Sequence, residues 1–141
     1  MNLIKLGAIS AFSGIMAVLF GGFDSLMLTL IIFMGVDYCL GILTAFFSKS
    51  TKTEHGGVSS KAGFWGLCKK GIVLLLLLIA HRLDVTLDIS FFRDSVAYGF
   101  IGIETISIIE NAVVLGVPVP EGLKRAIEIL KNKEKSGDGN N

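Results

Sequence analysis

The sequence has few charged residues for its length. Charged side chains make up 18% of the 141 residues and hydrophobic side chains 52%, and the mean hydropathy is +0.70. A soluble domain of this size needs a polar surface around its core, whereas these charges gather in a few short stretches. The composition therefore indicates a chain that faces lipid. The net charge of +1, with basic residues flanking apolar runs, argues against nucleic-acid binding.

Cysteines and catalytic motifs are also scarce. The two cysteines, Cys39 and Cys68, have neither CxxC nor Cys/His spacing, so neither a zinc site nor a disulfide framework is predicted. We interpret both as packing residues. The sequence contains no GxSxG motif, no phosphate-binding glycine loop followed by Lys-Ser/Thr, and no HExxH motif. It predicts no enzymatic activity, no cofactor and no metal.

Four apolar runs approach the roughly 20 residues that a helix needs to cross a bilayer. We predict spans at residues 6–23, 26–47, 69–90 and 96–117, within a single membrane-embedded domain of residues 1–135. A cleaved signal peptide is the alternative for the first run, but no convincing small-x-small site follows it. The predicted fold class is therefore all-α, an integral membrane protein with about four transmembrane helices.

The third run has a short apolar core. It crosses the bilayer only if Lys69 and Lys70 extend their ammonium groups to one interface and a polar outer third lies at the other. A re-entrant or interfacial helix is the alternative. In that outer third, His81, Asp84 and Asp88 share one face. We interpret them as a solvated rim rather than a metal site or a proton relay.

The segment after the fourth span predicts an amphipathic helix at the membrane surface. Pro118 and Pro120 end the span, and residues 121–133 then place apolar side chains at helical spacing. The opposite side is basic, so this helix is expected to lie along a leaflet and bind anionic headgroups. Its membrane-surface residues are Lys124, Arg125 and Lys131. Residues 136–141 are predicted to be disordered from their composition.

Basic residues predict the orientation, because cytoplasmic loops carry an excess of lysine and arginine. With four spans, both termini lie on the same side as the polar connector at residues 48–61. Of the thirteen lysines and arginines, only Arg82 and Arg93 then fall on the other side. Both termini are therefore predicted to be cytoplasmic.

Polar residues within the spans are the candidate functional residues. A charge at bilayer depth costs roughly 2.5 kcal/mol or more and usually faces protein or a water-filled cavity. Each set follows one helical face, so we predict a pore lining or an oligomer interface. Pairing within one subunit is the alternative. The residues are Asp37, Gly41 and Thr44 on the second span and Glu104, Ser107, Glu110 and Asn111 on the fourth.

Small residues form one face of the first span. Helices in lipid associate through close backbone contact, so this face predicts tight helix packing. The alternative is that glycine is simply common in membrane helices. The residues are Gly7, Ser10, Gly14, Ala17 and Gly21.

Several segments, in this order and spacing, resemble the toxin-secretion and phage-lysis branch of the phage holin family. The resemblance covers most of the chain and is most specific near its end. The segments are GGFD at 21–24, DYCLG at 37–41, Ser59 and Ser60 followed by Gly63, Gly66, Lys69 and Lys70, ETISIIEN at 104–111, and LGVPVP at 115–120 with Leu123 and Lys124 beyond.

This resemblance implies a protein without enzymatic activity that forms homo-oligomers in the bacterial cytoplasmic membrane. Such a holin opens lesions through which a cytosolic peptidoglycan hydrolase escapes and lyses the host; in related proteins a large toxin is exported. The lipid bilayer and the hydrolase are then its functional partners, the hydrolase without required direct contact. Two alternatives are a small-solute or ion channel subunit and an antiholin that regulates a partner holin.

Overall fold

The computed structural model describes residues 2–48 and 60–137, and every regular element in these two ranges is an α-helix. Four of them are long and apolar enough to cross a membrane. This confirms the predicted all-α fold with four membrane-length helices. The helices are α1 (Leu3–Phe20), α2 (Ser25–Ser48), α3 (Ser60–Leu87), α4 (Phe92–Val114) and α5 (Glu121–Gly137).

Helices α1, α3 and α4 each end three residues before their predicted spans do, and a glycine explains the ends of α1 and α4. Gly21 has a φ of 78°, and its N–H donates to the carbonyl of Ala17 at 3.0 Å. Gly116 has a φ of 82°, and its N–H donates to Val113 at 3.0 Å. Glycine adopts this left-handed conformation without steric cost, so α1 and α4 stop before these residues.

Helix α3 differs most from its predicted span. It begins at Ser60, inside the predicted polar connector, and continues for 28 residues to Leu87. Near its start, Gly63 and Gly66 face Tyr38 of α2: a Cβ atom added at either glycine would lie 3.5–3.6 Å from the Tyr38 side chain. The two glycines thus allow α3 to pack closely on α2. The segment Gly63–Leu87 is long and apolar enough for a full crossing, which favours a span over a re-entrant helix.

The buried core lies between α2, α3 and α4. Leu30 of α2 and Leu77 of α3 are its most enclosed large side chains. Helix α1 packs on α3 but has no buried residue of its own. The structure is therefore a three-helix core with a fourth helix attached to it. The core residues are Met27, Leu30, Met34, Val73, Leu77 and Ala97.

The small-residue face of α1 is largely open within one protomer. Gly7, Ser10, Gly14 and Ala17 are exposed, and a Cβ atom at either Gly7 or Gly14 would meet nothing within 4 Å. Gly21 is the exception, since a Cβ atom there would lie 3.0 Å from the ring of His81. The predicted tight packing of the other four residues therefore concerns a helix outside the protomer, and it stays a prediction.

Helix α5 extends to Gly137, beyond the predicted residues 121–133. Arg125 is exposed, and the ammonium of Lys124 contacts Glu121 at 3.0 Å. The side chain of Lys131 and residues 138–141 lie outside the part of the chain that the structure describes. Leaflet binding by α5 and disorder of the tail stay predictions.

Candidate functional site

A polar cluster joins α2, α3 and α4 inside the apolar bundle. The ammonium of Lys70 contacts Asp37 Oδ2 at 2.7 Å and also contacts Glu104 Oε2. Asn111 Nδ2 donates to the other oxygen of Asp37 at 3.3 Å. The hydroxyl of Thr44 donates to Asn111 Oδ1 at 3.4 Å. We call these five residues the central polar cluster.

The charged part of the cluster lies near the middle of α2 and α4, which run in the same direction. Asp37 and Glu104 each follow the first residue of their helix by twelve positions, which is about 18 Å along the axis. Their side chains are 14% and 5% exposed, and that of Lys70 is 16% exposed. An isolated charge at this depth is costly. The ammonium of Lys70 therefore stabilises both carboxylates in the bundle.

A cleft of about 280 Å³ opens beside the cluster, between α2, α3 and α4. Gly41 and Ser107 line it together with Asp37, Lys70 and Asn111. The cleft is lined by Gly41, Gly63 and Gly66, and larger side chains at these positions would fill part of it. Polar groups and a small cavity thus lie side by side in the bundle.

The structure brings six of the seven predicted pore or interface residues to one place. Asp37, Thr44, Glu104 and Asn111 belong to the central polar cluster, and Gly41 and Ser107 line the adjoining cleft. Glu110 is half-buried on the neighbouring flank of α4. These contacts lie within one protomer, and the role of the residues in a pore or an oligomer stays a prediction.

Lys70 is the member of the central polar cluster that the sequence interpretation did not include. Both Lys69 and Lys70 were expected to reach an interface, and Lys69 is indeed exposed. For Lys70 the expectation was wrong, because its ammonium turns inward to the two carboxylates. The available signal was the charge balance: two acids on apolar spans require a nearby cation.

A second polar site lies at the end of the bundle that holds the turns at residues 21–24 and 88–91. Asp84 of α3 is buried, and its carboxylate accepts the backbone N–H groups of Phe91, Phe92 and Arg93 at 3.1, 2.8 and 2.8 Å. The first N–H groups of a helix have no partner within the helix, so Asp84 caps α4 from outside. The expected solvated rim is therefore wrong for Asp84, although Asp88 is exposed.

Arg93 connects the ends of three helices at this site. Its Nε donates to the carbonyl of Phe20 at 2.6 Å, and its Nη1 contacts Asp24 at 2.7 Å and Asp94 at 3.1 Å. Asp24 in turn accepts the N–H of Met27 at 2.9 Å and so caps α2. We call Asp24, Asp84 and Arg93 the turn-end cluster.

Comparison with known proteins decides the family. The sequence matches the bacteriophage holin family over residues 14–132. The chain belongs to this family. The match includes every residue of the central polar cluster and of the turn-end cluster, and the four apolar helices make this holin-family chain a multi-pass membrane protein.

Relatives of this holin-family chain have similar lengths. An "uncharacterized 14.9 kDa protein in nagH 3'region" of Clostridium perfringens is 39% identical over 94% of this chain and 96% of its own length. "Uncharacterized protein Lin0175" of Listeria innocua is 39% identical over 96% and 91%. "Uncharacterized protein YtkC" of Bacillus subtilis is 34% identical over 82% of each chain. No solved structure matches the chain.

The ion pair of Asp24 with Arg93 predicts a pH dependence of stability in this holin-family protein. The hydrogen bond from Arg93 lowers the pKa of Asp24 below its ordinary value of 3.8, against the opposite effect of burial. Because the pKa of Asp24 is lowered in the folded protein, the ionised carboxylate contributes its full stabilisation above pH 3.8. This contribution is lost as the pH falls through the folded-state pKa. We expect Asp24→Asn to unfold at a lower temperature than the wild type at neutral pH.

The measurement is thermal unfolding in mild detergent at a series of pH values. Asparagine keeps an oxygen that can accept the N–H of Met27, so the comparison removes the charge and not the helix cap. The difference between the two proteins should shrink in acid. A difference that stays constant from neutral pH to below 3.8 would show that the ionised carboxylate does not contribute.

Proposed function

We propose that this protein is a holin that assembles with itself in the bacterial cytoplasmic membrane. Its lesions would let a folded cytosolic peptidoglycan hydrolase, or a large toxin, leave the cell. The observation that carries this proposal is the central polar cluster, which places Asp37, Lys70 and Glu104 at mid-depth in an apolar bundle. Packing alone does not require charges there, and each costs roughly 2.5 kcal/mol or more if isolated. Ionisable groups in membrane helices typically face a water-filled cavity or protein, and they often have a functional role.

The proposed mechanism uses two packings of the same helices. In the closed protomer the polar faces of α2 and α4 face one another and Lys70. In the assembled lesion these faces, with Glu110 on the adjoining flank, would line water. Membrane helices that pack through small residues permit such rearrangements, because their packed interfaces can switch between discrete arrangements. The lesion thus forms without catalysis.

The exposed face of α1 is the proposed contact between copies. Gly7, Ser10, Gly14 and Ala17 are free of contacts that would block a second helix, since open space surrounds the two glycines. Small residues at this spacing let helix backbones approach closely in lipid. We place both termini in the cytoplasm, where α5 binds the leaflet through Lys124, Arg125 and Lys131.

The test measures the turbidity of a bacterial culture that expresses this chain with a peptidoglycan hydrolase lacking an export signal. We expect abrupt clearing that requires both proteins, because holes large enough for a folded hydrolase must form first. The controls express each protein alone. A culture that keeps its turbidity while the chain is present in the membrane would contradict the holin proposal.

An ion or small-solute channel is the second candidate, and the cleft of about 280 Å³ favours it because its size suits small solutes. In the same culture a channel would depolarise the membrane while the hydrolase stays inside. An antiholin, the third candidate, would delay clearing by a separately expressed holin. Turbidity, membrane potential and the effect on a separately expressed holin together separate the three candidates.

A further inference from the structure

We propose that Lys70 is a latch that holds the polar faces of α2 and α4 closed within one protomer, so that loss of its ion pairs starts lesion formation. This inference rests on the proposed function and specifies how its closed state is held. Lys70 is a positioning residue in this scheme. It would act by keeping Asp37 and Glu104 away from water and from other copies.

The geometry gives Lys70 a place that its neighbours do not have. Its ammonium lies between a carboxylate of α2 and a carboxylate of α4, while it is itself carried by α3. One side chain therefore connects all three core helices at mid-depth. Lys69 is the adjacent residue of the same type and is exposed, so it provides a matched control.

The local structure of α3 aims this side chain inward. Gly63 and Gly66 face Tyr38, whose hydroxyl donates to the carbonyl of Gly63 at 3.4 Å. Lys70 follows Gly66 by four residues and so lies on the same face of the helix, one turn further along. Close packing of α3 on α2 thus delivers the ammonium to Asp37.

The charge balance predicts different effects for removing the cation and for removing one of the two acids. With Lys70 present, one ammonium serves two carboxylates. Without it, two carboxylates face each other in a low-dielectric environment, and separating them or hydrating them lowers the free energy. Without Glu104, by contrast, Lys70 and Asp37 remain as a one-to-one pair. Removing the cation should therefore open the bundle, and removing one acid should keep it closed.

The first experiment compares variants in the turbidity assay with the hydrolase. We expect Lys70→Gln to clear the culture earlier than the wild type and Lys69→Gln to clear it at the wild-type time. The charge-preserving Lys70→Arg should clear it later than Lys70→Gln does. Glu104→Gln should clear it later than the wild type. Adding Glu104→Gln to Lys70→Gln should delay clearing relative to Lys70→Gln alone, because it removes the repulsion between the carboxylates. Membrane amounts are matched by immunoblot.

The outcomes separate the latch from the proposed function. A wild-type chain that never releases the hydrolase contradicts the holin proposal, whatever the variants do. A functional wild type with equal clearing times for Lys70→Gln and Lys69→Gln overturns the latch. If Lys70→Gln does not accumulate in the membrane, Glu104→Gln decides, and clearing at or before the wild-type time overturns the latch.

A second experiment tests the opening itself in proteoliposomes. Thr44 and Asn111 connect α2 and α4 beside the latch, with 3.4 Å between their side-chain oxygens. We expect Thr44→Cys with Asn111→Cys, in a chain where Cys39 and Cys68 are serine, to lock the bundle when oxidised. Release of an enclosed fluorescent protein should fall about tenfold or more and recover on reduction. Equal release from oxidised and reduced protein would overturn the latch, provided that the reduced protein releases the cargo.

Discussion

Replacing Asp84 with alanine is expected to lower the free energy of unfolding of the detergent-solubilised protein by about 3 kcal/mol. The Asp84 carboxylate accepts three backbone N–H groups at the start of α4. Alanine leaves all three without this acceptor, and the position is 6% exposed, so water replaces the carboxylate poorly. The loss combines a missing helix cap with missing charge-assisted hydrogen bonds, which are stronger than neutral ones.

The measurement is chemical unfolding in mild detergent followed by circular dichroism. Asp84→Asn, which keeps one acceptor oxygen, should fall between the wild type and Asp84→Ala. Asp88→Asn is the control, because Asp88 is an exposed acid at the same end of α3, and asparagine tolerates its φ of 52°. An Asp84→Ala loss no larger than that of Asp88→Asn would mean that the α4 amides find other acceptors.

The sequence predicts the four spans well because hydropathy and length determine them almost independently of tertiary contacts. The ends were predicted less well. Helix α1 stops before Gly21, whose conformation depends on a backbone hydrogen bond to Ala17. Helix α3 starts at Ser60, inside the predicted polar connector, and Gly63 and Gly66, which follow that connector, pack against Tyr38.

The sequence contains a signal for the pairing of polar residues in the central polar cluster. Asp37 and Thr44 are seven residues apart, and so are Glu104 and Asn111. With four spans in alternating directions, the second and fourth run the same way, so matching spacings place matching polar groups at the same depths. Hydropathy and spacing therefore predict the depth of these residues in the bundle. The structure adds that they face one another.

Lys70 was harder to place because a lysine near a span end has two physically reasonable positions. Its long stem reaches either the interface or the bundle interior, and sequence spacing does not distinguish them. The same ambiguity applies to Asp84, which is polar enough for a solvated rim but serves as a buried cap. In both cases the deciding partner belongs to another helix, and its distance depends on tertiary packing.

Replacing Arg93 with methionine is expected to loosen the attachment of α1 and to lower the free energy of unfolding by about 2 kcal/mol. Methionine fills part of the volume but donates no hydrogen bond to Phe20 and forms no ion pair with Asp24. We expect less than the 3–5 kcal/mol typical of a fully buried pair, because Asp24 and Asp94 are 47% and 51% exposed.

The effect on α1 follows from its weak attachment elsewhere. Helix α1 contributes no buried residue, whereas its last carbonyl group, that of Phe20, accepts a hydrogen bond from Arg93 at 2.6 Å. Amide hydrogen exchange in detergent should therefore accelerate in α1 more than in α2, since α2 keeps its core contacts. Arg82→Met is the matched control, because Arg82 is an exposed arginine on α3. Faster exchange spread evenly over α1 and α2, or equal exchange in both variants, would show that α1 is held by lipid and by its contacts with α3 rather than by Arg93.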